Sequence, residues 1–277
     1  MQPREHTISY LLQGKFHQLA FTAWGNPQAQ PVVCVHGLTR QGRDFDTLAE
    51  KLSDRFYLLC PDIPGRGRSA WLPDPALYQY PSYVAALSHL LAFIDRPVHW
   101  VGTSMGGILG MLIAAAPGNP IQRMVLNDIG PFIPQAALAR IQSYIGGLPH
   151  FADLAAAEAY LRQVHAPFGA LTDAQWRGMA EHSVRAVPGD GLALHFDPGM
   201  TVPILAAPAQ DVDMWPVWDA ITVPMLTIRG AESDLLLDET LQRMAAKSET
   251  HVLPGVGHAP ALMDAPTIAV IQGFLEA

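Results

Sequence analysis

The sequence predicts an α/β fold built on a doubly wound, mostly parallel sheet. Two observations support this prediction. The first is a set of short, continuous apolar runs, which are typical of parallel strands covered on both faces; they span 31–35, 56–60, 98–102 and 123–127. The second is that amphipathic segments with a helical period separate these runs, as they do in sheets with helices on both faces.

The remaining elements extend the same alternation towards both ends of the chain. Further strands are predicted over 6–12, 17–23, 225–229 and 250–253. Helices are predicted over 44–52, 82–94, 107–115, 238–246 and 266–275. Asp44 and Ser82 stand where the first two helices begin, and both are residue types that cap helix N-termini.

Between Pro131 and Trp218 the alternation stops, and helices separated by Pro and Gly predominate. Helices are predicted over 135–145 and 153–164, and a third begins at Thr172, with Gln175 at capping-box spacing. We therefore expect a core domain of residues 1–130 and 219–277, interrupted by a helical cap of residues 131–218. The cap is expected over the carboxyl edge of the sheet, where such sheets bind ligands.

Composition excludes several classes of protein. Apolar residues make up 49% of the 277 residues and charged residues 15%, which predicts a large folded core. The net charge of −8 argues against nucleic-acid binding, which needs a basic surface. The longest apolar run, 108–116, is too short to span a membrane, and the first residues lack a signal-peptide layout. We expect a cytoplasmic protein that binds neither nucleic acid nor membranes.

No motif in the sequence indicates a metal site or a cofactor. Cys34 and Cys60 lie inside apolar strands, which indicates free buried thiols. The chain has no Cys-x-x-Cys, His-Glu-x-x-His or phosphate-binding P-loop pattern. We therefore expect chemistry carried by side chains alone.

The pentapeptide Gly102-Thr103-Ser104-Met105-Gly106 points to that chemistry. It lies between a predicted strand and a predicted helix, and a serine on such a sharp turn exposes its hydroxyl at the edge of the sheet. The flanking glycines let the strand and helix backbones approach closely. Ser104 is thus the candidate nucleophile.

A serine hydroxyl needs a general base, and the base needs an orienting carboxylate. His258 follows the strand at 250–253 and is the best candidate base. Asp234, in the loop after the strand at 225–229, is the preferred acid. Asp128, directly after the strand at 123–127, is the alternative acid. If it is not the acid, we expect it to hold the base of the cap through hydrogen bonds to loop amides. The two candidates remain open at this point.

Acyl transfer also needs two N–H donors for the developing oxyanion. The amide of Met105, next to the nucleophile, is one candidate donor. The second is the amide of Leu38, in the His36-Gly37-Leu38 turn after the strand at 31–35. His36 itself is expected to bond to the loop backbone.

Together these elements resemble the α/β-hydrolase superfamily, of the type with a helical cap. The resemblance rests on the His36-Gly37 turn, the segment from Asp62 to Ser69, the elbow at 102–106, the Ser233-Asp234 pair and Gly257-His258. It implies an eight-stranded sheet and a Ser-His-Asp triad. It leaves the substrate open.

We expect a serine carboxylic-ester hydrolase that acts through an acyl-enzyme on a small-molecule ester. The apolar residues Phe132, Ile133, Trp176 and Trp215 indicate a pocket for neutral or aliphatic acyl groups, and Arg140 is expected on a solvated face of the cap. The alternative function uses the same triad for C–C bond hydrolysis of the meta-cleavage type or for cofactor-free perhydrolysis. The oligomeric state stays open.

Overall fold

The protein has the alternating order of strands and helices that the sequence predicts. A computed structural model describes residues 2–189 and 191–277; Met1 and Asp190, in the predicted core and cap, lie outside the described residues. The strands are β1 (Arg4–Leu12), β2 (Lys15–Trp24), β3 (Gln30–Val35), β4 (Phe56–Pro61), β5 (Val98–Thr103), β6 (Ile121–Asn127), β7 (Phe132–Ile133), β8 (His150–Phe151), β9 (Val184–Ala186), β10 (Leu192–Leu194), β11 (Val212–Asp213), β12 (Met225–Gly230) and β13 (Glu249–Leu253). The helices are α1 (Asp46–Leu52), α2 (Tyr80–Ile94), α3 (Met105–Ala114), α4 (Gln135–Ile145), α5 (Leu154–Val164), α6 (Asp173–Ser183), α7 (Thr201–Ala206), α8 (Trp215–Ala220), α9 (Asp238–Met244) and α10 (Ala265–Glu276).

The central sheet has eight strands in the order β1-β2-β4-β3-β5-β6-β12-β13. The hairpin of β1 and β2 is antiparallel, and β2 pairs antiparallel with β4. Every later pair in the sheet is parallel. The carboxyl ends of β3, β5, β6, β12 and β13 therefore meet at one edge of the sheet, and the candidate residues follow these ends.

Alternate residues of the parallel strands pack on opposite faces of the sheet. Val33 and Val35 belong to the apolar cluster that also contains residues of α2 and α3. Val32 and Cys34 belong to the second cluster, with residues of α1 and α10. Since both faces are covered, the strands need no polar positions, which explains their continuous apolar runs.

The helix starts differ in detail from the prediction. Helix α2 begins two residues before Ser82, because Pro81 has a backbone angle suited to the first turn. Asp44 lies in a short 3-10 turn that precedes α1. The capping box of Thr172 and Gln175 at α6 is confirmed. Within the described residues, no helix is long and apolar enough to cross a membrane.

Residues 131–218 contain α4 to α7 and most of α8, together with two small sheets. Strands β8, β10 and β9 form one of these sheets, and β11 pairs with β7 to form the other. The sequence does not predict these strands, since two or three residues are too few to show an alternating pattern. Residues of this segment line the same cavity as Ser104 and His258, which follow the carboxyl ends of β5 and β13.

Candidate active site

Ser104 lies on a strained turn between β5 and α3. Its backbone angles are φ 50° and ψ −115°, a region that residues with a side chain rarely adopt. The turn requires glycine on both sides. A Cβ added to Gly106 would lie 1.9 Å from the Val35 carbonyl oxygen, and one added to Gly102 would lie 2.4 Å from the Gly106 oxygen. Close packing of α3 against the sheet thus holds the serine in place.

Ser104, His258 and Asp128 form a continuous hydrogen-bonded chain. His258 Nε2 is 3.1 Å from Ser104 Oγ, and His258 Nδ1 is 2.7 Å from Asp128 Oδ2. The network assigns the proton to Nδ1, which donates to the carboxylate and leaves Nε2 as an acceptor for the serine hydroxyl. This arrangement lets His258 remove the serine proton.

The Asp128 carboxylate is fully buried and accepts hydrogen bonds at both of its oxygens. Besides His258, its Oδ2 accepts from Ser233 Oγ at 2.6 Å and from the Ala259 amide at 3.2 Å. Its Oδ1 accepts from the Gly230 amide at 2.9 Å. Such bonds stabilise the ionised carboxylate and fix its direction. Asp128 can therefore orient the imidazole.

The structure corrects the expectation that Asp234 orients His258. Asp234 is 49% exposed and forms a two-pronged ion pair with Arg140 of α4, in which Nη2 and Oδ1 are 2.8 Å apart. The physical reason is the path of the loop after β12. Its Ser233 hydroxyl turns inward to Asp128, while the next residue faces the cap. The sequence shows the Ser233-Asp234 pair, but it is the serine that reaches the triad.

The two predicted oxyanion donors, Leu38 and Met105, lie next to the serine. Met105 is the first residue of α3, where amides lack intrahelical partners. The Gly37 carbonyl accepts from His36 Nδ1 at 2.7 Å and from the Arg40 amide at 3.2 Å. Because a trans peptide is planar, the Leu38 N–H points away from these partners. The geometry is compatible with a two-amide oxyanion hole.

His36 has a structural place behind this turn. Its Nε2 accepts from the Ile63 amide at 3.0 Å, so the ring joins two loops of the sheet edge. The pKa of His36 is lowered to about 3, chiefly by burial and in smaller part by the nearby guanidinium groups of Arg66 and Arg40, despite the bond to the Gly37 carbonyl. The neutral ring serves as a fixed spacer, as expected from the sequence.

A cavity of about 460 Å³ lies above Ser104 and His258, between the sheet edge and the cap. Its walls are mostly apolar and include Ile141 and Phe168. None of the four predicted pocket residues lines it: Phe132, Ile133, Trp176 and Trp215. Their aromatic and aliphatic side chains pack within the fold instead, which apolar content alone cannot distinguish from ligand contact.

Each of these four residues packs against a particular part of the protein. Ile133 is buried in the main apolar cluster, and Phe132 pairs through its backbone with β11. The Trp176 ring lies under the guanidinium of Arg162, and the Trp215 ring lies under that of Arg243. These are packing roles within the cap and at its junction with the core.

Arg140, expected on a solvated face, lines the cavity instead, together with Tyr144 one turn later in α4. Its side chain is 42% exposed, and its guanidinium is the cation of the ion pair with Asp234. Arg40 also lines the cavity, but Asp44 binds its guanidinium at 2.6 and 2.8 Å. The cavity thus has cationic groups at its wall that the sequence pattern does not reveal.

Among the described residues, no group of three or more His, Cys, Asp or Glu side chains is arranged to hold a metal ion.

The chain is similar to known hydrolases along most of its length. A family model described as the alpha/beta hydrolase family matches residues 32–272. A 3-hydroxybutyrate-oligomer hydrolase from Cupriavidus necator is 41% identical, with 98% of this chain and 97% of that protein aligned. A 2-(acetamidomethylene)succinate hydrolase from Mesorhizobium japonicum is 28% identical, over 87% and 86% of the two chains. The crystal structure of an alpha/beta hydrolase from Novosphingobium aromaticivorans has a TM-score of 0.89 and 35% identity, covering 99% and 98% of the two chains.

Proposed function

The chain belongs to the alpha/beta hydrolase family, and on that premise we propose that it is a serine carboxylic-ester hydrolase working through an acyl-enzyme. Family membership confirms the resemblance and the fold class expected from the sequence. The observation that carries the proposal is the chain of hydrogen bonds from Ser104 through His258 to Asp128 at the floor of the cavity.

In the first half-reaction, Ser104 Oγ attacks the ester carbonyl carbon while His258 Nε2 takes the hydroxyl proton. The Asp128 carboxylate stabilises the imidazolium that forms. The amides of Leu38 and Met105 bind the carbonyl oxygen as it becomes negative. When the tetrahedral intermediate collapses, the C–O bond of the ester breaks and His258 protonates the departing alcohol.

In the second half-reaction, water replaces the alcohol. His258 Nε2 takes a proton from this water, and the resulting oxygen attacks the acyl carbon of the Ser104 ester. Collapse of the second intermediate releases the carboxylic acid and returns the proton to Ser104. The same three side chains and two amides therefore serve both steps.

For the substrate, we propose linear oligomeric esters of short hydroxy acids, with 3-hydroxybutyrate oligomers as the reference compounds. Two observations support this class. The relative from Cupriavidus necator, 41% identical along nearly its whole length, is named for such oligomers. The largely apolar cavity suits the aliphatic chain, and Arg140 at its wall suits the terminal carboxylate of an acidic ester.

Hydrolysis of a 3-hydroxybutyrate trimer and of p-nitrophenyl butyrate, by wild type and Ser104→Ala, tests this proposal. We expect both substrates to be cleaved and the mutant rate to fall by about 10⁴-fold or more. A fluorophosphonate should label wild type at one site and leave the mutant unlabelled. Hydrolysis retained in the mutant contradicts the mechanism, and cleavage of p-nitrophenyl butyrate without the trimer contradicts the substrate class.

A further inference from the structure

Arg66 is a buried arginine next to the proposed oxyanion hole, and the mechanism above does not use it. Its side chain is 0% exposed. Its Nε donates to the Leu38 carbonyl oxygen at 2.9 Å, and its Nη2 lies 4.0 Å from Met105 Sδ. Arg66 therefore contacts both residues that supply the oxyanion amides.

The other contacts of the guanidinium are with neutral groups. Its Nη1 donates to the Pro64 carbonyl oxygen and to Tyr83 Oη, both at 2.8 Å. The Tyr83 ring lies beneath it, with 4.9 Å from the guanidinium carbon to the ring centroid. Within residues 2–189 and 191–277, no ion pair joins Arg66 to a carboxylate.

Two carboxylates lie near the segment that contains Arg66, those of Asp62 and Asp197, and both bind other groups. Asp62 accepts from the amides of Gly42 and Arg68, at 2.8 and 2.9 Å. Asp197, from the cap, accepts from Tyr78 Oη and from the amide of Gly199. These carboxylates hold the loops, and among the described residues none pairs with the charge of Arg66.

A buried cation held by neutral acceptors is costly, because it loses its hydration without gaining a negative partner. In the resting enzyme, no described carboxylate pairs with Arg66. During catalysis a negative charge forms nearby, on the oxyanion between the Leu38 and Met105 amides. In a buried site, charges are weakly screened, so a fixed cation stabilises such an oxyanion without having to reorganise.

We propose that Arg66 is a positioning residue of the oxyanion hole and its electrostatic support. Its Nε–H holds the Leu38 carbonyl, which fixes the direction of the turn, and its charge favours the tetrahedral intermediate over the bound ester. This inference rests on the proposed function, because it assumes an acyl transfer at Ser104. It adds a residue whose effect is exerted on the transition state and not on substrate binding.

Comparison of wild type with Arg66→Met tests the inference, since methionine is unbranched, similar in length and uncharged. With p-nitrophenyl butyrate, we expect kcat per titrated active site to fall about 10²-fold while KM changes less than threefold. The affinity for a trifluoromethyl ketone, which forms an anionic adduct with the serine, should fall by the same factor as kcat/KM. Arg66→Lys should recover part of both losses.

Arg68→Met is the matched control, because Arg68 lies two residues away, is 31% exposed and, unlike Arg66, pairs with carboxylates, those of Glu5 and Asp62. We expect its kcat and inhibitor affinity to stay within threefold of wild type. The inference is overturned if Arg66→Met keeps its kcat, or if its kcat falls while the inhibitor affinity is unchanged. The latter result would show a structural role alone.

Should Arg66→Met fail to fold, Arg66→Lys and Tyr83→Phe decide the question. The first keeps the charge without the guanidinium, and the second removes one acceptor of Nη1. A fall in kcat and inhibitor affinity in equal proportion supports the inference, and unchanged values overturn it. If the fluorophosphonate labels wild type at Ser104 and Arg66→Met has normal kinetics, only the role of Arg66 is contradicted. If Ser104→Ala is fully active, the proposed function itself is contradicted.

Discussion

Two aspartates that follow neighbouring strands of the sheet have opposite environments. Asp128, after β6, is fully buried and is bound by His258 from the core. Asp234, after β12, is 49% exposed and is bound by Arg140 from the cap. Asp128 is thus fixed by several buried hydrogen bonds within the core, while Asp234 joins the core to the cap through a half-exposed ion pair. This contrast suggests that the core carries the chemistry and the cap selects the substrate.

The largest expected effect separates the two aspartates directly. Asp128→Asn should lower kcat by about 10⁴-fold, because an amide can neither fix the imidazole tautomer nor stabilise its cation. Asp234→Asn, the matched control, should change kcat for p-nitrophenyl butyrate by less than threefold, since exposed ion pairs contribute little. Steady-state kinetics of both variants provide the measurement. A larger loss in Asp234→Asn would reverse the assignment of the acid.

The second test compares glycines of the two regions. Gly106→Ala should lower the free energy of unfolding by more than about 3 kcal/mol, since the added Cβ would lie 1.9 Å from the Val35 oxygen. Gly178→Ala in α6 of the cap has no atom within 4 Å of the new Cβ and should raise it by about 0.5–1 kcal/mol. Urea unfolding measures both changes. Equal effects at the two sites would contradict the close packing of the elbow.

The third test concerns the pH dependence of stability and His36, a buried histidine of the core. The pKa of His36 is lowered by burial to about 3, so between about pH 6.5 and 3 the unfolded chain binds a proton that the folded chain excludes. His36 therefore favours folding above this range, and that contribution is lost as the pH falls through it. Between pH 7 and 4.5, wild type should lose roughly 2–3 kcal/mol more stability than His36→Gln.

The control for this prediction is His89→Gln, because His89 is exposed. Unfolding in urea at the two pH values should give this variant the same pH-dependent loss as wild type. If His36→Gln lost stability as steeply as wild type, the histidine would not be neutral in the folded protein.

The smallest expected effect tests the cap as the selecting region. Arg140→Met should raise KM for the 3-hydroxybutyrate trimer by about tenfold, the scale of one partly solvated charged hydrogen bond. KM for the trimer methyl ester, which lacks the carboxylate, should change little. Asp234→Asn releases Arg140 from its partner and should lower KM for the acid. An equal rise for acid and methyl ester would show that Arg140 does not bind the carboxylate.

How far the sequence predicts the site differs from residue to residue. The eight strands of the sheet follow from apolar runs, and Ser104 and His258 follow from turns next to those strands, all of which are local patterns. Asp128 could only be weighed against Asp234, because both come after adjacent parallel strands. The pocket prediction failed, since Trp176 and Trp215 pack within the fold and Arg140 reaches the cavity.

The sequence by itself determined the α/β sheet, the strained turn of Ser104 and the position of His258 after the last strand, because each depends on the order of residues along a short segment. The tertiary structure alone decided which carboxylate meets His258, which side chains face the cavity and where the charge of Arg66 is buried. These outcomes depend on how loops distant in sequence pack against each other. A sequence pattern within one segment does not predict that packing.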